Sequence, residues 1–262
     1  MELAASAFGR LRSSRAANVT WPRQTPWLIA GALAIFTVWS ALSWPQQFMT
    51  GLIVGSLYAL SAVGLTLIYS IARTPHFAHG DSMMLTAYIT FFALTGVLVG
   101  ADGPDARLPI RLDQLPGATD QIWRFSFGYA FLLAMLVAVL VAIPLLLAIN
   151  AWVYKPLLAR NSGTAIVAVA SLGIAIAMRG FILLIWGATP RKYVTGIRDT
   201  VEVWRFPRVV ADQYFILVAS LLLTIIVSWI LFRTRLGTSM RAMADNPDLA
   251  RASGIITAHV TR

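Results

Sequence analysis

FGYAFLLAMLVAVLVAIPLLLAI, Phe127 to Ile149, decides the fold class. It runs for 23 residues without one charged side chain. As a helix that is long enough to cross a hydrocarbon core, which takes roughly 17–25 apolar residues. Apolar and polar residues do not alternate in it, so it is not a strand of a membrane barrel. Five further windows of similar character flank it: Trp27–Trp44, Phe48–Tyr69, Ser82–Gly100, Thr164–Gly187 and Tyr214–Phe232. The chain reads as an all-α polytopic membrane protein with about six transmembrane helices. A basic segment precedes them at 1–26, the membrane domain fills 27–232, and a polar segment follows at 233–262.

Composition agrees. Of 262 residues 58% are hydrophobic and only 12% charged, against roughly 25% charged in soluble domains. The formal charge of +10 does not point to nucleic acid, because the basic residues lie between spans, where topology and lipid headgroups account for them. Cysteine is absent, which removes disulfides, thiol catalysis and thiolate metal sites. Arg10, Arg12, Arg15 and Arg23 precede the first span, and Ala41-Leu42-Ser43 loosely resembles a signal-peptidase site. That apolar run exceeds the usual signal core of roughly 7–15 residues, so a retained anchor helix is expected. With both termini inside, the inner segments carry twelve Lys or Arg and the two outer loops, 101–126 and 188–213, carry eight. The count leans toward that orientation, although density per residue is almost equal. Trp123, Trp186 and Trp204 are expected at the headgroup belt or against an outer partner.

Inside the membrane, Gly51, Gly55 and Ala59 recur at four-residue spacing in the second span, near Tyr58 and Gly64. The fifth span is similarly rich in small residues around Gly173. Small faces let helices approach closely, and they also leave room for a solute; both readings stand. Arg179 is the one basic residue deep in a span. Its insertion costs roughly 2.5–3.5 kcal/mol, so it should face a bundle interior or a cavity, or snorkel outward. Pro144 should kink the fourth span. No Asp or Glu falls inside any of the six windows. Between the second and third spans lies RTPHFAHGD, Arg73–Asp81. His76, His79 and Asp81 are too few to make a metal site, and none is expected. The segment reads as a tight re-entry turn in which Pro75 stops one element, Gly80 relieves the backbone, and Asp81 or Ser82 caps the next helix.

The polar tail has its own punctuation. Arg233–Ala244 is predicted as a helix continuing the sixth span. Asn246 is a good N-cap, Pro247 fits the first helical position, Asp248 suits the positive helix end, and Gly254 closes the short helix. Only two lysines occur, Lys155 and Lys192, and neither belongs to a phosphate loop. Nor is there an H-E-x-x-H or G-x-S-x-G pattern. No enzyme site is visible, and any ATP must be hydrolysed by another chain.

The second span, GLIVGSLYALSAVGLTLIY from Gly51 to Tyr69, followed by Phe77-Ala78-His79-Gly80, resembles the permease subunits of branched-chain amino acid ABC importers. That family usually has Asn before Phe-Ala-His-Gly, where this chain has His76. Gly237-x3-Arg241-Ala242 and Ala250-x-Ala252-x-Gly254-Ile255 resemble the family's cytoplasmic loop that contacts the ATP-binding subunit. The resemblance implies that Gly237, Arg241, Asp245, Ala250 and Gly254 couple to an ATPase, and it marks Phe77, Ala78, His79, Gly80 and Asp81 as a family motif turn. It implies a bacterial inner-membrane permease for branched-chain or related amino acids, without a bound cofactor. Its partners would be a second permease subunit, two ATP-binding subunits and an extracytoplasmic solute-binding protein. In the family this loop is followed by further helices, so the chain is expected to be a permease lacking them. A urea or short-chain amide permease of the same family, and a self-sufficient secondary transporter or channel, are the alternatives.

Overall fold

A backbone amide inside hydrocarbon finds no water, so apolar runs that cross it fold as helices that satisfy their own polar groups. A computed structural model describes residues 25–98, 106–107, 111–160, 162–193, 200–201 and 209–254. The basic residues of 1–24, Trp204 and Ile255 lie outside them. The chain forms two compact units, Met1–Phe48 and Met49–Arg262. Described in the first is α1, Thr25–Ser43, with Trp39 edge-on to Trp44 at 4.9 Å.

Starting at the boundary, α2 spans Pro45–Ala72, followed by α3 (His79–Thr95), α4 (Tyr129–Ala159), α5 (Thr164–Trp186) and α6 (Ala211–Arg233). Two tail helices come next, α7 (Arg235–Asp245) and α8 (Pro247–Ala252). The protein is thus all-α and polytopic. Four helices, α2, α4, α5 and α6, are long and apolar enough to cross a membrane, and α1 is a shorter apolar helix. Pro144 sits inside α4 without ending it, and a π-helical turn at Asn150–Tyr154 follows.

The third span differs from expectation at both ends. It starts at His79, three residues before Ser82, and stops at Gly96, whose φ of 62° provides a left-handed cap bonded back to Phe92 O. Its 17 residues make about 25 Å of helix at 1.5 Å per residue. Beyond Gly96 the chain turns into a short antiparallel ribbon, β1 (Val97–Leu98) with β2 (Ala106–Arg107). A second ribbon pairs β3 (Thr200–Val201) with β4 (Val209–Val210).

Short as it is, α3 is the element the core is built on. One face joins Leu85 and Phe91 to Met178, Ile182 and Trp186 of α5. Trp186 is buried, and its indole N–H donates to Val97 O at 3.0 Å. The expected belt position is therefore wrong for Trp186, because its polar edge has a partner inside; Trp123 is exposed. On its other side Leu94 packs against Ala130 and Ala134 of α4. Ala130, Ala134, Ala138 and Ala142 form a buried row at four-residue spacing, which lets the helix backbones approach closely. Serine and threonine hydroxyls bond to carbonyls three or four residues back, as at Ser61, Thr86, Thr90 and Thr224, so they burden the bilayer little.

Filling the alanine row should cost stability. Ala134→Leu places a branched side chain at a position with no exposed surface, and overpacking of this kind costs about 1–3 kcal/mol. We expect a lower melting temperature in detergent, with Leu136→Ala, at an exposed position of the same helix, close to the parent. Equal melting of both variants would show that the row does not carry the packing.

Candidate functional site

The segment between α2 and α3 is not a turn at the membrane surface. Arg73 ends α2 with φ 51°, and its N–H bonds to Tyr69 O at 2.8 Å. From there residues 74–78 run back beside the helices. The buried Ala78 N–H donates to Ser171 Oγ at 3.0 Å, seven residues into α5, or about 10 Å along its axis. His79 Nε2 lies 3.2 Å from Ser61 O in the body of α2, with its ring against Gly64, where a Cβ would come within 3.0 Å of it. The first turn of α3 therefore begins at mid-depth. Non-helical backbone is tolerated there only when protein or a cavity surrounds it, and Ser171, itself fully buried, supplies the missing acceptor.

Three expectations for this segment are corrected. The left-handed residue is Arg73, whereas Gly80 is an ordinary helical residue with open space around it. Helix α3 has no side-chain cap: Asp81 sits in its first turn, and Ser82 Oγ donates to His79 O at 2.7 Å. Finally, Asp81 lies within the membrane domain and pairs with Arg179 of α5, Nη2 to Oδ1 at 3.1 Å. His76 and His79 diverge; His76 packs on Tyr154 at 5.2 Å between ring centroids. Within the family motif, Ala78 is fully buried and Phe77 is exposed.

The tail forms the second half of the site. Helix α6 does not continue to Ala244; the chain breaks at Thr234, where φ −102° and ψ 156° leave the helix. Thr234 Oγ1 then accepts the Gly237 N–H at 3.1 Å and caps α7. Gly237 packs so tightly on the end of α6 that a Cβ would stand 2.3 Å from Ile230 O. Arg241 lies over the Phe232 ring at 5.3 Å, a cation–π contact across the same elbow. At the next joint Asn246 Oδ1 accepts from the N–H groups of both Asp248 and Leu249 at 3.1 Å, as a good N-cap should. Ala250 is buried, and Gly254 closes the helix with φ 82°.

Among the described residues one side chain, Arg73, joins the two halves by hydrogen bonds. Arg73 Nη2 donates to Ala244 O at 3.0 Å and to Asp245 O at 3.3 Å, where the last carbonyls of α7 have no helical partner and carry its negative dipole end. Sequence reasoning missed this tie, because nothing in the spacing of Arg73 and Ala244 signals it. The Asp81–Arg179 pair did leave a trace: it joins the one cation deep in an apolar run to the acid at the edge of another.

The small-residue faces behave differently from the alanine row. A Cβ added at Gly51, Gly55 or Gly173 would meet nothing within 4 Å, and Tyr58 is exposed. No described residue packs against those faces.

Apolar helices of spanning length, a charge pair between α3 and α5 and a capped helical tail are the parts of a multi-pass membrane protein. Residues 47–261 match the family described as branched-chain amino acid transport system / permease component, and the chain belongs to it. It is 28% identical over 218 residues to the high-affinity branched-chain amino acid transport system permease protein BraD of Pseudomonas aeruginosa, covering 80% of this chain and 62% of that protein. Against the corresponding permease LivH of Escherichia coli K12 the identity is 25% over 225 residues, 82% of this chain and 63% of that one. A probable branched-chain amino acid transport permease LivH of Methanocaldococcus jannaschii is 28% identical over 211 residues, 78% and 56%. The chain thus spans less than two thirds of the length of these relatives. No solved structure matches it.

If Arg73 holds the tail, Arg73→Ala should loosen it. Two hydrogen bonds from an exposed guanidinium are worth about 1 kcal/mol together. We expect amide exchange in Arg235–Ala252 to accelerate several-fold while α5 is unaffected. Unchanged exchange in the tail would show that the contact bears no load.

Proposed function

We propose that this chain acts as the membrane-spanning permease subunit of an ABC importer for branched-chain or related amino acids, energised by separate ATP-binding subunits. The observation that carries this reading is the tail, a helix, cap and short helix at 235–254, held by Arg73 to the broken segment at mid-depth. Gly237, Arg241, Asp245, Ala250 and Gly254 then have distinct parts. Gly237 and Arg241 set the elbow, the Asp245 carbonyl receives Arg73, and Ala250 and Gly254 shape the end that meets an ATPase. Movement of that end would reach the first turn of α3 through Arg73 and the strap 74–78, where Ala78 and His79 grip α5 and α2. In this scheme 1–26 is a basic cytoplasmic lead, 27–232 the permease domain and 233–262 the coupling segment.

Family relatives that carry amino-acid permease names support the substrate class. The implied assembly adds a second permease subunit, two ATP-binding subunits and an extracytoplasmic solute-binding protein. Gly51, Gly55 and Gly173, with no described residue against them, and the exposed Tyr58 are positions where another subunit or the solute path would lie.

Two measurements test the reading. Co-expression with ATP-binding subunits should yield a complex that copurifies and hydrolyses ATP. Gly254→Val should then insert normally but lose uptake, because its φ of 82° costs a residue with a β-branch at least about 1–2 kcal/mol. A Gly254→Val complex with full transport and stimulated ATPase activity would remove the tail from the coupling.

A further inference from the structure

Arg179 and Asp81 meet about 10 Å from the Trp186 end of α5, counting 1.5 Å per residue. At that depth an ionised side chain should face a water-filled path or a protein partner. Asp81 is nearly enclosed, with 12% of its side chain exposed, whereas 66% of the Arg179 side chain is open. Among the described residues Arg179 donates to Asp81 alone, which leaves most of its five N–H donors directed elsewhere. The backbone beside each charge is also bare: Gly80 and Gly180 have no neighbour within 4 Å of where a Cβ would be. The result is an ion pair at membrane depth with one partner anchored and the other presented to open space.

A transported amino acid with an apolar side chain has one feature that hydrocarbon rejects, its zwitterionic head. We propose that the Asp81–Arg179 pair is the intramembrane subsite for that head, the guanidinium taking the carboxylate and the Asp81 carboxylate taking the ammonium group. The proposal deepens the permease reading above and rests on it. In the empty site the two side chains neutralise each other, so the pair itself leaves no net charge between α3 and α5. On binding, one intramolecular pair is exchanged for two pairs to the ligand, and the planar guanidinium offers a bidentate fit to a carboxylate. An amide or urea carries neither charge and cannot open the pair in this way. Because Asp81 stands in the first turn of α3, opening the pair would also release the α3–α5 contact at the point the strap controls.

The test uses the assembled complex in proteoliposomes, after ATPase copurification has established the permease reading independently. Arg179→Gln and Asp81→Asn should each lower uptake of labelled leucine at least about tenfold, the loss expected of a charge-assisted contact. The exchanged pair, Asp81→Arg with Arg179→Asp, restores an ion pair between the helices but reverses the site. It should assemble with the second permease subunit and stay as low as the single variants. Recovery by the exchanged pair to near the parent rate would make the contact structural and overturn the proposal, as would unimpaired uptake in either single variant. Loss of the second permease subunit from the complex would assign the pair to the subunit interface instead. Should these variants fail to insert, Arg179→Lys and Asp81→Glu keep both charges and change only reach and geometry. Reduced uptake with intact assembly supports the subsite, while unchanged uptake or failed insertion in these too overturns it.

Discussion

The hydrogen bond from the Ala78 amide to Ser171 is the contact on which the arrangement depends. A helix crossing the bilayer satisfies its own amides; residues 74–78, running without helix at mid-depth, do not. One buried hydroxyl on α5 fixes where α3 can begin. That starting level sets which residues of α3 face α5, and so places Leu85 and Phe91 on Met178 and Ile182. It also carries Asp81 from the edge of the membrane domain, where its position in the sequence would leave it, to the level of Arg179. Had α3 begun at Ser82 as a full span, the guanidinium would stand in the membrane without a carboxylate near it.

How much of this was legible depends on whether the signal is local. Charge-free runs such as Phe127–Ile149 declare themselves, because burial in lipid needs only composition and length. The joint at Asn246 was equally open to reading: an Asn followed by Pro and Asp has one economical use, and both amides it should cap are capped. The elbow at Thr234 was missed although its parts are ordinary. Thr234 is as good a cap as Asn246, but no proline follows it and the helix-forming residues on both sides hide the break. The strap was missed for a different reason. Its depth is decided by the Ser171 hydroxyl and the Ser61 carbonyl, far away in the sequence, and a hydroxyl inside an apolar helix usually bonds back to its own turn, as that of Ser61 does. The alanine row of α4 stands beside more conspicuous glycines, of which Gly64 packs on His79 while Gly51, Gly55 and Gly173 have no described residue against them.

The two glycine-related patterns separate packing from availability. Where small residues serve packing, as at Ala130 and Ala134, they are buried and a neighbouring helix sits on them. Where they leave backbone bare, as at Gly51, Gly55 and Gly173, no described residue uses the space. Gly237 belongs to a third kind, since there the backbone of α6 occupies the place of a side chain. Spacing alone does not distinguish these cases, and only the second bears on what another molecule could reach.

Coupling between the tail and the membrane domain requires that a displacement at α7 be felt at α3 and not absorbed between them. The connections are short and of different stiffness. Gly237 and Thr234 make the α6–α7 elbow tight, so α7 cannot swing freely about its own root. Arg73 grips carbonyls at the far end of α7 while its backbone terminates α2, and five residues later the chain is fixed again at Ser171. A push on α8 would thus pull on a strap anchored at both ends, and the weakest anchor governs where motion appears. Of the described contacts along this line that join α3 to α2 or α5, the Asp81–Arg179 pair is the one with an exposed partner. It is therefore the place where the chain can exchange an internal contact for an external one without exposing a buried amide.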